Sequence, residues 1–256
     1  MSLPESLDLT RRREVAEAAV RSASREPSIL LPHTRSSRIG TIASPATTGS
    51  AISISAAIES AFPGESILVG AAAGARSTAW LVGGHESAGA HAFPAFGPEL
   101  AYLVDGEPVV AAVQVPTFDE TFSAAAGHGA TLDGRRIEVA APRDVERTLV
   151  LSTHLEIAVP SIGEVVARLA GWRMPSRQAG PLALLCYLAT GRIDGFVTQL
   201  SGEAAPAAGE LLVREAGGVT TTIDGGGTSA RNSVLAAASN AALLEQMLRR
   251  LEIQGA

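Results

Sequence analysis

The chain has 256 residues, 46% of them hydrophobic, a formal charge of −6, one cysteine and twenty basic residues that are all arginine. That length and apolar fraction supply a well-filled core and exclude an intrinsically disordered chain. Scattered arginines on an acidic chain form no basic stripe for nucleic acid, and the absence of lysine removes Schiff-base chemistry and a P-loop lysine.

No uninterrupted apolar run reaches the roughly 18 residues of a membrane span. The start, with Pro4, Glu5, Asp8 and Arg11–Arg13, lacks the apolar segment of a signal peptide. Cys186 sits in an apolar run, reads as a small buried hydrophobe, and has no disulfide partner, which fits a reducing cytoplasm.

In chain order, residues 8–25 form an expected amphipathic helix with Leu9, Val15, Ala16, Ala19, Val20 and Ala23 on one face. Pro27 ends it, and residues 28–50 read as a Ser/Thr/Pro-punctuated connection. Ile52, Ile54, Ala57, Ile58 and Ala61 suggest a second helix, stopped by Phe62-Pro63-Gly64, although the Ile52–Ile54 alternation leaves a strand open. The pattern then becomes β-rich: Ile67–Val69, Ala79–Val82, Leu100–Val104, Val109–Val115 and Thr121–Ala125 are strand-like, with turns at Asp105-Gly106 and Asp133-Gly134. Ala126–Ala130 reads as a tight bend with His128 on its surface.

From Leu149–Ser152, a strand, the order becomes mixed. Helices are expected at Ile162–Leu169, Gly180–Thr190, Pro206–Ala216 and Ala241–Leu251, with strands at Ile193–Val197, Val219–Ile223 and Val234–Ala237. Asp224-Gly225-Gly226-Gly227 lies between two strands, so it is read as a flexible hairpin, not a phosphate cradle.

The loop after the second strand is the chemically suggestive one, since loops leaving buried strands carry function. It holds Glu86 between His85 and His91, among Gly, Ala and Ser. The histidine spacing differs from the i, i+4 pair of a zinc helix, and Gly83, Gly84 and Gly89 oppose a helix, so the trio is either a loop metal site or a plain polar loop.

Several stretches together resemble the inositol monophosphatase family, within the superfamily that includes fructose-1,6-bisphosphatase. They are Phe62-Pro63-Gly64-Glu65-Ser66, Trp80-Leu81-Val82, Phe93-Pro94, Gly127-His128-Gly129-Ala130-Thr131-Leu132-Asp133-Gly134, Cys186–Phe196 and Ala207–Gly218. The resemblance covers roughly residues 50–250. It implies an α/β (α+β) fold, the layered α-β-α-β-α sandwich, with an N-terminal half at about 1–145 and a C-terminal half at about 146–256. It also implies a homodimer and Mg²⁺-dependent phosphomonoester hydrolysis, in which carboxylate-held ions activate water.

The ligand positions of that family are largely replaced. Its Gly-Glu-Glu appears as Gly70-Ala71-Ala72, its Asp-Pro-Ile-Asp-Gly-Thr loop as Gly83-Gly84-His85-Glu86-Ser87-Ala88, and its Trp-Asp-x-Ala-Ala-Gly as Ala204-Ala205-Pro206-Ala207-Ala208-Gly209. Acids are thus lost at Ala71, Ala72, Gly83 and Ala205, and Glu86 alone keeps a carboxylate. Arg177 and Gly180 match the family's substrate region, with a helix-end ion pair as the alternative role for Arg177; Glu203 is the nearest acid to another substrate contact. The expectation is a catalytically degenerate relative with no cofactor, or Mg²⁺ if activity persists. It would act as a binding or interaction module for a small phosphorylated or polyol ligand. The alternative is an active phosphatase with a metal site rebuilt around Glu86, with His85 and His91.

Overall fold

The computed structural model describes residues 7–25, 45–69, 78–83, 97–116, 118–141, 149–151, 180–200, 206–222 and 234–250, with backbone alone at 45–48, 149–151, 199 and 250. The expected helix at Ile162–Leu169 and the Asp224–Gly227 loop lie outside them.

Helix α1, Leu9–Ser24, starts where Asp8 Oδ1 accepts the Arg11 N–H at 2.9 Å, satisfying one of the free donors of the first turn. Its expected apolar face is the buried one, through Leu9, Ala16, Ala19, Val20 and Ala23. Helix α2, Pro45–Ala61, begins inside the segment read as a connection. Thr47, Thr48 and Gly49 are weak helix formers that hide the period, while proline suits a helix's first position. Its buried face is Ala51, Ile54 and Ile58; Ile52, placed on that face from sequence, is 65% exposed because it stands about half a turn away from Ile54.

Seven strands follow: β1 Ile67–Val69, β2 Ala79–Gly83, β3 Glu99–Val104, β4 Glu107–Val115, β5 Glu120–Ala125, β6 Gly129–Leu132 and β7 Arg135–Ile137. They form one sheet in chain order, β1 and β2 parallel and the rest antiparallel. The bend and turn read between 126 and 136 carry two further strands, β6 and β7. Both are short and poor in apolar alternation, so pairing with β5, not local pattern, makes them strands. The turn between them places Asp133 and Gly134 at φ 50° and 74°, the left-handed geometry that Asp-Gly tolerates.

The second sheet is built from β8 Leu149–Leu151, β9 Gly195–Gln199, β10 Val219–Thr222 and β11 Val234–Ala238, in the order β10-β11-β9-β8. Three helices accompany it: α3 Pro181–Ala189, α4 Ala207–Glu215 and α5 Ala241–Arg250.

Burial fixes the layering. Alternate residues of the first sheet face α1 and α2 (Trp80, Val82, Leu100, Tyr102, Val110, Ala112), while their neighbours (Leu81, Ala101, Leu103, Ala111, Val113) face α3 and α4. From the second sheet Phe196, Leu235 and Ala237 meet the same helices, and α5 packs on β11 with Met247 close to Gly195. The order is helix pair, seven-stranded sheet, helix pair, four-stranded sheet, helix: the expected α-β-α-β-α sandwich. Between α3 and α4 the backbone comes so near that a Cβ on Gly209 would stand 2.6 Å from Leu185 Cδ1. Cys186 is buried, as a small hydrophobe should be.

Candidate functional site

Because β1 and β2 are parallel neighbours in register, Val69 beside Val82, their carboxyl ends lie at one edge of the sheet. The chain therefore runs on into residues 70–72 and 84–91 from adjacent strand ends, the kind of place where mixed sheets bind ligands. Gly83 closes β2 and pairs directly with Glu99 at the start of β3. The Glu99 side chain, with Oε2 shielded from solvent, lies over the bare face of Gly83.

Helix α4 is aimed at the same corner. Its last turn is held far from Gly83, where Arg214 donates to the Pro108 carbonyl at 2.6 Å and Glu215 accepts from the Gly127 and Gly129 N–H groups at 3.1 and 2.9 Å. Pro108 is the second residue of β4, whereas Val113, further along β4, pairs with Glu99. The first turn of α4 thus points back toward Glu99. Neither α3, with Gly180 at its N-cap, nor α4, with Pro206, has a side-chain cap. Leu182 and Leu185 of α3 pack on Gly209, so the opening turns are neighbours. The positive end of a helix favours an anion.

Of the residues singled out from sequence, Gly83 and Gly180 are placed, the first at a strand end and the second at a helix start. His85, Glu86, His91, Ala71, Ala72, Arg177, Glu203 and Ala205 lie outside the described residues. Asp119 and Glu120, at the end of the β4–β5 connection, have framework partners: Gln114 donates to Asp119 at 3.3 Å and Arg192 to Glu120 at 2.9 Å. Glu215 staples α4 to the β5–β6 turn.

Sequence reasoning missed Glu99 and read Glu210 only as a residue for a dimer or subdomain contact, without its burial. Glu99 needed the strand register to be seen opposite Gly83. Glu210 on α4 is 8% exposed, with Oε1 buried and unbonded among the described residues, and burial pushes its carboxyl up to about 7. Thr198 on β9 is fully buried, and its hydroxyl has no partner among the described residues. The Mg²⁺ that the family implies demands several hard oxygen ligands. Among the described residues no three His, Cys, Asp or Glu side chains lie together, so these residues do not fit the ion.

A five-layer sandwich with a ligand-type corner at parallel strand ends defines the class as a phosphatase-type fold. The inositol monophosphatase family model matches residues 90–255, and the chain belongs to that family. It is similar to Nus factor SuhB of Escherichia coli (strain K12), 37% identical over 131 residues, and to a fructose-1,6-bisphosphatase/inositol-1-monophosphatase of Thermotoga maritima, 33% identical over 130. Each match spans about half of this chain and about half the length of the relative. The fold is similar to that of an inositol monophosphatase from Anabaena, with a TM-score of 0.75 at 24% identity, over 96% of both chains.

Proposed function

We propose that the chain keeps the inositol monophosphatase fold without its metal-dependent hydrolysis. It acts as a binding or interaction module whose ligand is a small phosphorylated or polyol compound. The observation that carries this reading is the end of β2: glycine stands at the acid position and Glu99 packs across it. Ala71, Ala72 and Ala205 extend the same loss in sequence, removing oxygens that asparagine or glutamine would have kept. Some relatives are named as Nus factors, which is in keeping with an interaction role. A homodimer and a cytoplasmic setting belong to the same proposal; among the described residues no helix is long and apolar enough to cross a membrane.

The second reading is an active phosphatase with a metal site rebuilt from Glu86, His85, His91 and Glu203. Its support is the position of Glu86, three residues beyond the end of β2. Phosphate release from a panel of inositol and sugar monophosphates separates the two, run with Mg²⁺, Mn²⁺, Zn²⁺ or chelator. The expected rates equal the blank under every condition. Metal-dependent turnover that collapses in Glu86→Gln establishes the second reading instead.

A further inference from the structure

Position 83 has no side chain, and its backbone does not explain why. Gly83 is not in the left-handed region and lies in a strand, where glycine is unfavourable relative to alanine. The reason stands on the neighbouring strand. A Cβ built on Gly83 falls 2.6 Å from Glu99 Cδ and closer still to Glu99 Cγ and Oε1. Because Cγ is part of the overlap, relief requires Glu99 to leave its rotamer from χ1 outward, not merely to swing its carboxylate. Glu99 is the direct cross-strand partner of Gly83, on an extended pair whose facing residues share one volume.

We propose that Glu99 has taken over the space and charge of the missing strand-end acid, transposed across the ladder from β2 to β3, so that a side chain at 83 and the present Glu99 exclude each other. The proposal rests on the reading that the site works without metal. A negative charge is delivered to the corner from β3 and packed down onto β2. The loss at 83 is therefore locked in by its partner, and restoring an acid at 83 alone meets both an occupied volume and a like charge.

Thermal unfolding of a double-mutant cycle tests this, with Mn²⁺ as the probe ion. Gly83→Ala in the natural background is expected to lower Tm by about 3–6 °C. In the Glu99→Ala background the same change is expected to be neutral or to raise Tm by about 1–3 °C, because the volume is free and alanine suits a strand better than glycine. Equal shifts in both backgrounds overturn the proposal. If Gly83→Ala does not fold, the pair Gly83→Asp and Gly83→Asp/Glu99→Ala carries the test: the double variant is expected to unfold within a few degrees of the parent, and a double variant no better than the single overturns the exchange. Millimolar Mn²⁺ is expected to leave every Tm unchanged. A Mn²⁺-induced rise in the parent that disappears in Glu99→Ala makes Glu99 a live metal ligand and also overturns it. The coupling is read on stability, so turnover in the phosphate-release assay bears on the metal-free reading while leaving this cycle a separate result.

Discussion

Arg12 shows how much a single side chain organises. From α1 it donates to both carboxylate oxygens of Glu65 at 2.7 and 2.5 Å, while its guanidinium lies 4.1 Å from the Tyr102 ring centre and 4.5 Å from that of Phe62. Trp80 Nε1 donates to the same carboxylate at 2.7 Å. The hydrogen bonds from Arg12 hold the Glu65 carboxyl below its usual range. Arg12→Ala leaves the partly buried Glu65 carboxylate without its cation and removes the guanidinium packed against Tyr102 and Phe62. The expected loss is about 2–3 kcal/mol, read as a fall in Tm. Arg12→Lys is expected to recover little, since an ammonium offers neither the paired donors nor the flat face. Glu210 gives the opposite dependence on acidity. Below pH about 4.5, folded and unfolded chains both hold its proton. Between there and about 7 the unfolded chain releases the proton first, and above 7 the folded protein must bury a charge. Stability is therefore present at low pH and falls by on the order of 3 kcal/mol across that window, eased by nearby Arg214. Glu65 loses its contribution on acidification instead, so the curve of the parent alone is a sum. Denaturant unfolding of Glu210→Gln isolates the effect: its stability at pH 8 is expected to exceed the parent's, with a flatter profile from 5 to 8.

At the scale of elements, α3 against α4 is the tightest joint. Leu185 Cβ and Leu182 Cδ1 stand 2.9 and 3.3 Å from the place of a Cβ on Gly209, so Gly209→Ala overpacks a helix contact. It is expected to destabilise by about 1–3 kcal/mol despite the better helix propensity of alanine, and the sign of the Tm change checks it. Elements were legible where their own residues decide them. The Leu9–Ser24 helix has a periodic face and a cap, and the Glu99–Val104 and Glu107–Val115 strands flank Asp105-Gly106. Elements decided by partners were not: β6 and β7 exist because β5 is there to pair with, and the first turns of α2 lack an apolar stripe. The site divides likewise. That positions 71, 72, 83 and 205 carry no acid can be read from the chain, but the pairing of Glu99 with Gly83 depends on which residue faces it across a ladder, and no local pattern encodes that.

For the molecule as a whole, sheet membership follows the chain: the first sheet ends at Ile137 and the second begins at Leu149. We propose the boundary of the two halves near 145/146, within that gap. It is not a boundary in packing, because α3 and α4 from the later half bury the inner face of the earlier sheet. The two sheets also differ in how they come together in time. Each strand of the first pairs with the one just before it, so pairing advances as the chain advances. In the second, the last of the described strands, β11, takes an interior place between β10 and β9. The earlier sheet can thus be zipped up during synthesis, while the later one stays open at its middle until residue 238 has arrived.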